Sequence, residues 1–241
     1  MDKVLIIGGS GGIGAALARR LHARGTPMHL MARDAERLQA IAAEVGASQT
    51  AGDARDEAAL AAAITAASSD GRLGGLAYCV GSIVLKSIKT ATASDYREAF
   101  ELNVIPAALA IRQAAPALAQ ARGSIVLFST VAVSQGFTNH AVIGAAKGAI
   151  EGLGLSVAAD LAPQVRVNCI APSLTRTPLA EALTRSEQMA TAIARLHPID
   201  RLGEPEDIAA LADFLLSADS SWITGQVLRV DGGRSTLRPR G

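Results

Sequence analysis

Short apolar runs alternate along the chain with longer stretches in which apolar residues recur at helical spacing. Runs of this size predict buried β-strands, and the longer periodic stretches predict amphipathic helices that pack on a sheet. The predicted strands cover residues 3–7, 28–32, 47–50, part of 73–81, 124–130, 165–171 and 226–230. One predicted helix begins after residue 14, a second ends near residue 44, and the others cover 57–67, 94–121, 142–161 and 204–216.

The regular alternation of strand and helix predicts an α/β fold, with one doubly wound parallel sheet and helices on both faces. No linker composition, internal repeat or low-complexity tract divides the chain, so residues 1–241 are expected to form a single domain. A long excursion over residues 172–199 follows the sixth strand, with helical spacing in part and three prolines. Ligands of such sheets bind at the carboxyl ends of the strands, where the candidate site residues are therefore sought.

The predicted helix over residues 94–121 has features at its start and in its interior that affect its course. Ser94 is expected to cap its N-terminus, because a serine hydroxyl can accept a hydrogen bond from a free backbone N–H of the first turn. Pro106 and Pro116 lie within the helical stretch and predict a kink or a break.

Glycines separate the first predicted strand from the first predicted helix. Gly8, Gly12 and Gly14 form a G-x-x-x-G-x-G pattern directly after the apolar run, with Ser10 between the first two. Such a turn lets the backbone approach a phosphate, and the N-terminus of the following helix offers free N–H groups and the positive end of its dipole. The pattern predicts a dinucleotide-binding turn.

Three alternatives explain the same glycines less well. A flexible linker rarely joins a strand directly to an amphipathic helix, and a P-loop requires a Lys-Ser or Lys-Thr pair that does not follow these glycines. Residues 8–12 also match G-x-S-x-G, the nucleophile elbow of α/β-hydrolases. An elbow normally follows several strands of the sheet, whereas Ser10 follows the first, so the dinucleotide site is favoured.

The charge balance limits the classes of partner. Lys and Arg together number 23, and Asp and Glu number 22, which gives a net charge of +1. Such a balance provides no electrostatic reason to expect nucleic acid or an anionic membrane as a partner.

Cysteine usage and the N-terminus indicate the compartment. Cys79 and Cys169 lie in apolar runs far from C-x-x-C spacing, and are expected to be buried free thiols in a reducing compartment. No histidine has a partner spacing that indicates a metal site. Glycines interrupt the apolar N-terminus too early for a signal peptide, and no apolar segment is expected to reach bilayer length, so a cytoplasmic location is predicted.

Several spaced motifs, in the same order along essentially the whole chain, resemble those of the short-chain dehydrogenase/reductase family. They are Gly8-x-x-x-Gly12-Ile13-Gly14, Gly52-Asp53-Ala54, Leu102-Asn103-Val104, and the segments 168–177, 201–209 and 223–233. The resemblance implies a Rossmann-type fold, a nicotinamide dinucleotide cofactor, and hydride transfer to or from a small carbonyl or alcohol. It also implies a homo-oligomer, a tetramer or a dimer, built partly on the helices over residues 95–121 and 142–161.

The same resemblance implies roles for individual residues. Asp53 matches the acid that contacts the adenine ring, and Asn103 matches the asparagine that holds a catalytic water. Segment 168–177 matches the stretch beside the nicotinamide, with Ser173 where the family has glycine. The residues expected to bind the cofactor are Gly8, Ser10, Gly12, Ile13, Gly14, Arg33, Asp53, Ala54, Val80, Gly81, Lys147, Pro172, Leu174 and Thr177.

The end of the second predicted strand bears on the choice between NAD and NADP. An acid at this place binds the ribose 2′-hydroxyl and favours NAD, but this chain has Ala32 followed by Arg33. The Arg33 guanidinium can pair with a 2′-phosphate, although Asp34 beside it can offset part of that attraction. NADP is therefore expected, with NAD as the alternative.

The catalytic residues depart from the family pattern of Ser, Tyr and Lys. With Lys147 matched to the lysine, Thr130 stands at the serine and Ile143 at the tyrosine. Thr130 can still donate a hydrogen bond to a substrate oxygen. Ile143 has no proton to exchange, so the usual route through a phenol whose pKa is lowered by the lysine is missing.

Other groups are candidates for the missing acid. His140 lies three positions before Ile143 and is a credible acid/base if it faces the cleft; otherwise it is a loop histidine or a substrate contact. A water chain through Asn103 and Lys147 is a second route, and Ser134 is a distant third. Lys147 also has a purely binding role, because the family's lysine hydrogen-bonds the nicotinamide ribose.

The sequence leaves two functions open. The first is an NADP(H)-dependent oxidoreductase with an altered proton-transfer set, in which the 172–199 excursion covers the substrate and Ile143 and Ser173 line its site. The second is an inactive NADP-binding protein that acts as a sensor or as a partner subunit.

Overall fold

Strands and helices alternate along the chain as predicted, in a computed structural model that describes residues 1–238; the last three residues of the predicted domain lie outside the described part. The strands are β1 (Val4–Ile7), β2 (Met28–Ala32), β3 (Ser48–Ala51), β4 (Gly75–Tyr78), β5 (Ser124–Phe128), β6 (Arg166–Pro172) and β7 (Val227–Val230). The helices are α1 (Gly12–Ala23), α2 (Ala35–Val45), α3 (Glu57–Ala67), α4 (Ala93–Asn103), α5 (Ile105–Ala121), α6 (Ala132–Gln135), α7 (Ala141–Leu161), α8 (Glu181–Thr184), α9 (Glu187–Ala194) and α10 (Pro205–Leu216).

All seven strands pair in parallel in one sheet, in the order β3-β2-β1-β4-β5-β6-β7. This order confirms the predicted doubly wound α/β fold. The chain order reverses between β1 and β4, whose last residues Ile7 and Tyr78 are paired. At such a switch point the connections leave the two strands in opposite directions, and a crevice opens at their carboxyl ends.

The core consists of two aliphatic layers, one on each face of the sheet. Successive strand residues point to opposite faces, so that Leu5 and Ile7 of β1 belong to one layer and Val4 and Ile6 to the other. Both faces are covered by helices, and all four residues are buried. A strand buried on both faces reads as a continuous apolar run, which is why β1 was recognisable in the sequence.

The predicted helix over residues 94–121 is two helices. α4 ends at Asn103, and α5 begins at Ile105 with Pro106 in its first turn, where a missing N–H breaks no helical hydrogen bond. The proline thus marks the start of a helix and lies just after the break. Pro116 is accommodated inside α5.

The prediction that Ser94 caps this helix is wrong. Thr92 is the cap: its hydroxyl accepts from the Asp95 N–H (3.3 Å), and the Asp95 carboxylate accepts from the Thr92 N–H (2.8 Å). This reciprocal capping box satisfies two backbone donors at once, which a cap at Ser94 does not achieve. Ser94 instead donates from its hydroxyl to Glu98.

Two smaller differences from the predictions concern the end of β5 and the burial of Cys79. β5 ends at Phe128, so Ser129 and Thr130 lie beyond the strand, and the short helix α6 follows them. Cys79 follows β4 and is partly exposed, whereas Cys169 is buried within β6. Both cysteines are free thiols, as predicted.

The expectation that no segment reaches bilayer length is wrong on the criteria of length and composition. Two helical stretches, Ala93–Ala121 and Ala141–Leu161, are long and apolar enough to cross a membrane by these criteria. The first stretch is divided at Val104, and the second packs against β5 and β6. Helices that cover a sheet in this way pass the same test, so length and composition alone are weak evidence for a membrane span.

Candidate active site

The glycine turn between β1 and α1 has a backbone that other residues cannot easily adopt. Gly8 has a φ of +91°, and a Cβ there would lie 2.9 Å from the carbonyl carbon of Cys79. A Cβ on Gly14 would collide with the carbonyl oxygen of Gly8, and one on Gly12 would lie 2.8 Å from the Thr177 methyl carbon. The glycines are therefore required by close packing at the switch point and by contact with the segment after β6.

The start of α1 presents free backbone donors beside this turn. The first hydrogen bond of the helix runs from the Ala15 N–H to the Gly11 carbonyl (2.8 Å). The N–H groups of Gly12, Ile13 and Gly14 consequently have no acceptor within the helix. No side chain caps this N-terminus. This donor set suits a dinucleotide pyrophosphate, because an anion satisfies the N–H groups and interacts with the positive end of the helix dipole.

Arg33 projects from the end of β2 into solvent, with 66% of its side chain exposed. Asp34 does not pair with it, because the Asp34 carboxylate caps α2 by accepting from the Arg37 N–H (3.0 Å). The acid nearest to Arg33 is Asp53, with 4.0 Å between Nη1 and the carboxylate. The guanidinium is thus free of the neighbour that was expected to offset its charge.

Asp53 is held chiefly by Arg55. The Arg55 N–H donates to Asp53 Oδ1 (2.9 Å), and Nη2 donates to Oδ2 (2.7 Å). These hydrogen bonds lower the pKa of the Asp53 carboxyl to about 2, so the group is ionised at neutral pH. Ala54 is buried in the core, so only its backbone is available for a ligand.

A cavity of about 540 Å³ opens at the carboxyl ends of the central strands. It brings together predicted site residues from six places along the chain: Ile13, Val80, Gly81, Thr130, His140, Ile143, Lys147, Pro172, Ser173, Leu174 and Thr177. Other predicted residues are not part of its lining: Gly8, Ser10, Gly12 and Gly14 in the turn, Arg33, Asp53 and Ala54 after β2 and β3, and Asn103 at the end of α4. The excursion after β6 supplies part of the wall, including Leu179, Leu183 and Ile193.

Lys147 is the buried cation of this cavity. Its side chain leaves α7, is only 8% exposed, and donates from Nζ to the Phe128 carbonyl oxygen (2.9 Å). Burial lowers the pKa of the Lys147 ammonium to about 8, from an ordinary value of 10.5. An amine with this pKa is present in both protonation states near neutral pH, which suits it to donate or accept a proton.

Asn103 lies next to Lys147, on the other side of Gly81. The buried Asn103 amide donates to the Ala99 carbonyl (2.8 Å) and to the Ser82 hydroxyl (3.1 Å). A Cβ placed on Gly81 would lie 3.0 Å from both Asn103 Oδ1 and Lys147 Nζ. The absence of a side chain at Gly81 therefore leaves a small space that the amide oxygen and the ammonium both face.

Thr130 is one of the hydroxyl residues that line the cavity. Its neighbour Ser129 donates to Glu151 Oε1 (2.6 Å) and thereby ties the end of β5 to α7. Thr130 Oγ1 accepts from the Ala132 N–H (3.3 Å), so its own proton can be donated to a substrate oxygen.

Ile143 and His140 lie at the start of α7. Ile143 is 4% exposed and lines the cavity. His140 precedes the helix, contributes to the same wall, and donates from Nδ1 to the Thr138 carbonyl oxygen (2.8 Å). That contact uses Nδ1 and leaves Nε2 available. The ring also lies in the cavity wall, which is where an acid/base role would need it.

Three residues of this cavity region were not singled out from the sequence. Phe137 and Arg234 line the cavity, and His197 is buried behind it with its Nε2 2.8 Å from the Ser173 hydroxyl oxygen. Arg234 follows the Asp-Gly-Gly motif near the C-terminus, and nothing in that motif indicates that the chain returns to the cavity. The only available signal was an arginine directly after a glycine turn.

Metal ligands do not gather at this site. In residues 1–238, no group of three or more His, Cys, Asp or Glu side chains is arranged to hold a metal ion.

Sequence comparisons place the chain among nicotinamide-dependent enzymes. A family model described as enoyl-(acyl carrier protein) reductase matches residues 8–235. A tropinone reductase homolog of Arabidopsis thaliana is 32% identical, over 95% of this chain and 90% of the relative. In Xanthobacter autotrophicus, 2-(S)-hydroxypropyl-CoM dehydrogenase 3 is 36% identical over 98% of this chain and 97% of its own length. Inactive 2-(S)-hydroxypropyl-CoM dehydrogenase 2 from the same organism is 35% identical over 92% of this chain and 100% of its own length.

Solved structures agree in fold over almost the whole chain. A short-chain type dehydrogenase/reductase from Mycobacterium ulcerans superposes with a TM-score of 0.92 at 32% identity, covering 98% of this chain and 90% of that chain. A structure described as ElxO with NADP bound has a TM-score of 0.90 at 26% identity, and the match covers 98% of this chain and 99% of that chain. These likenesses exclude the hydrolase interpretation of Ser10. The chain therefore belongs to the short-chain dehydrogenase/reductase family of NAD(P)-dependent oxidoreductases.

Proposed function

We propose that this protein is an NADP(H)-dependent oxidoreductase that acts on a small carbonyl or alcohol, with Lys147 as the group that exchanges the proton. The observation that carries the proposal is a buried ammonium with a pKa of about 8 in the same cavity as the Thr130 hydroxyl. A bound nicotinamide dinucleotide supplies the hydride that passes to or from the substrate carbon.

The residues that would hold the dinucleotide surround the cavity. The turn of Gly8, Ser10, Gly12, Ile13 and Gly14 would bind the pyrophosphate through backbone N–H groups. Asp53 and Ala54 would contact the adenosine end. Val80, Gly81, Lys147, Pro172, Leu174 and Thr177 would surround the nicotinamide end. Within one domain of residues 1–241, the 172–199 excursion would cover the substrate.

The proton route runs through this chain's own side chains. Thr130 donates a hydrogen bond to the substrate oxygen and polarises the carbonyl. Lys147 gives its proton towards that oxygen through a water held beside Gly81, where the Asn103 amide oxygen accepts from the same water. Ile143 keeps bulk water from the reacting atoms, and Ser173 lines the substrate side. His140 is the alternative acid, because its free Nε2 belongs to the same cavity wall.

Turnover is the direct test of the activity. We expect the purified protein to oxidise NADPH in the presence of some member of a panel of small aldehydes and ketones, with one alcohol formed per NADPH consumed. Binding of NADPH with no turnover across the panel, in either direction of reaction, would contradict the proposed activity.

Arg33 is proposed to select NADP. We expect Arg33→Glu to weaken NADPH binding about tenfold or more and to leave NADH binding unweakened, because a carboxylate repels the 2′-phosphate. Fluorescence titration with both dinucleotides measures the effect. Arg122→Glu is the matched control, since this exposed arginine precedes β5 at the opposite end of the sheet. Tighter binding of NADH than NADPH to the unaltered protein would assign NAD instead.

A second candidate is a cofactor-binding protein without dehydrogenase activity, which acts as a sensor or a partner subunit. Ile143 favours it, because the family's phenol is missing, and a relative named as inactive has 35% identity to this chain. Both candidates include a cytoplasmic location and an assembly of two or four copies. They differ in turnover alone, which the substrate panel measures.

A further inference from the structure

Arg234 carries a charge that has no ion-pair partner among residues 1–238. It follows β7 after a turn in which Gly232 and Gly233 have positive φ values of +59° and +85°. The Asp231 carboxylate is occupied by that turn, where it accepts from the N–H groups of Gly233 and Ser235 (2.9 Å each) and from the Ser235 hydroxyl. Among the described residues, Arg234 has no acidic side chain within ion-pair distance.

Two contacts hold the Arg234 guanidinium at the cavity wall. Its central carbon lies 4.7 Å from the centre of the Phe137 ring, and Nη1 donates a long hydrogen bond of 3.5 Å to the Ser173 hydroxyl oxygen. The aromatic contact orients the planar group without using its N–H donors. The structure records only this one of its five N–H donors with a partner, in the part of the chain that it describes.

Ser173 is itself oriented to accept from Arg234. His197 Nδ1 lies 3.0 Å from the Ile193 carbonyl oxygen, which can only accept, so Nδ1 carries the proton. In the neutral ring Nε2 is then an acceptor, and the Ser173 hydroxyl donates to it over 2.8 Å. The lone pairs of that hydroxyl oxygen therefore remain for Arg234. Serine at this place is a departure from the family's glycine, and the side chain helps to position the arginine.

The rest of the cavity offers no compensating charge. Its lining in residues 1–238 contains no Asp or Glu, and most of it is apolar. The other cation of the lining, Lys147, is buried and donates to the Phe128 carbonyl. Partial burial lowers the pKa of the Arg234 guanidinium, and the negative charge of the nearby Asp231 carboxylate only partly opposes this shift. An oxyanion in the cavity would provide the partner that is missing.

We propose that Arg234 binds an oxyanion of the substrate, so that the substrate class is small carbonyl or hydroxy compounds that carry a carboxylate, sulfonate or phosphate. This inference rests on the proposed function, because it assumes that the cavity receives the substrate. The anionic group would pair with the free edge of the guanidinium, and the carbonyl would point towards Thr130. Such pairing is bidentate for planar or tetrahedral oxyanions, which favours arginine over lysine at this place.

Binding measurements test the anion site without requiring turnover. The probes are acetoacetate, levulinate and their methyl esters, titrated calorimetrically into the NADPH-loaded protein. We expect one or both acids to bind at least about tenfold more tightly than the matching ester. Arg234→Gln should remove this preference and leave NADPH affinity unchanged. Arg234→Lys should keep part of it. Arg229→Gln, which removes an exposed arginine from β7, should keep all of it.

Equal affinity for acid and ester, no binding of any of the four probes, or an unchanged preference in Arg234→Gln would each overturn the inference. Loss of NADPH binding in that variant would also overturn it, because Arg234 would then support the fold or the cofactor. Preferential acid binding without any NADPH oxidation would keep the anion site and contradict the proposed activity. The two proposals can thus fail separately.

Discussion

Lys147→Met is expected to lower kcat/KM for NADPH-dependent carbonyl reduction by about a thousandfold, because it removes the proton donor from the cavity. Methionine keeps the length and apolar stem of the side chain. It removes the charge that burial had made costly, so the fold is expected to remain intact. Steady-state kinetics with a substrate from the panel measures the loss, and NADPH titration separates a catalytic defect from weakened cofactor binding.

The pH profile distinguishes proton transfer by Lys147 from a role in binding. Because the ammonium is the acid form, the rate of reduction should be constant below pH 8 and fall about tenfold per unit above it, according to the pKa of about 8. Alcohol oxidation needs the neutral amine and should rise with pH up to the same value. In Lys147→Met, the rates of reduction and oxidation should no longer change around pH 8.

Two further variants serve as controls for this assignment. Lys147→Arg keeps a positive charge but does not titrate near neutral pH, so it should also lose the step in the profile. His140→Ala tests the alternative donor in the same wall. A loss in His140→Ala as large as in Lys147→Met, with the step at pH 8 retained in the latter, would assign the proton to His140.

Ile143→Tyr is expected to raise kcat by about a hundredfold or more, because it restores a phenol four residues before Lys147 on the same face of α7. The ammonium lowers the phenol's pKa by favouring the phenolate, and the hydroxyl enters the cavity that Ile143 lines. Initial rates under saturating NADPH give the measure. If the unaltered protein is inactive, the appearance of activity would show that the remaining site is competent.

Ile143→Phe is the matched control for that gain. Phenylalanine fills the same space without the hydroxyl, so it should give none of the increase. Equal rates in the Tyr and Phe variants would mean that ring size, and not a proton, had changed the activity. If kcat rises in neither variant, the assignment of residue 143 to the tyrosine position would be contradicted.

Local features of the sequence predicted most of the fold because their physical causes are local. β1 is a continuous apolar run since both of its faces are buried. The glycine turn was predictable because its tightest constraint is local: a Cβ on Gly14 would collide with the carbonyl oxygen of Gly8, six residues earlier. The start of α4 was not predictable in this way, because Thr92 and Ser94 are both residue types that cap helices. Thr92 is the cap because its backbone is extended and because it forms a reciprocal capping box with Asp95.

Some features of the candidate site can likewise be predicted from the sequence, whereas others depend on the tertiary structure. The sequence by itself determined the family motifs and the turn that suits a dinucleotide, and it carries the prediction of a threonine and a lysine in the catalytic set without the tyrosine. Only the tertiary structure decided the pKa of Lys147, because burial comes from residues distant in the chain. It alone brought Arg234 to Ser173, which lies 61 residues earlier. A motif records contacts among neighbours along the chain, whereas desolvation and charge balance depend on every segment that closes around a cavity.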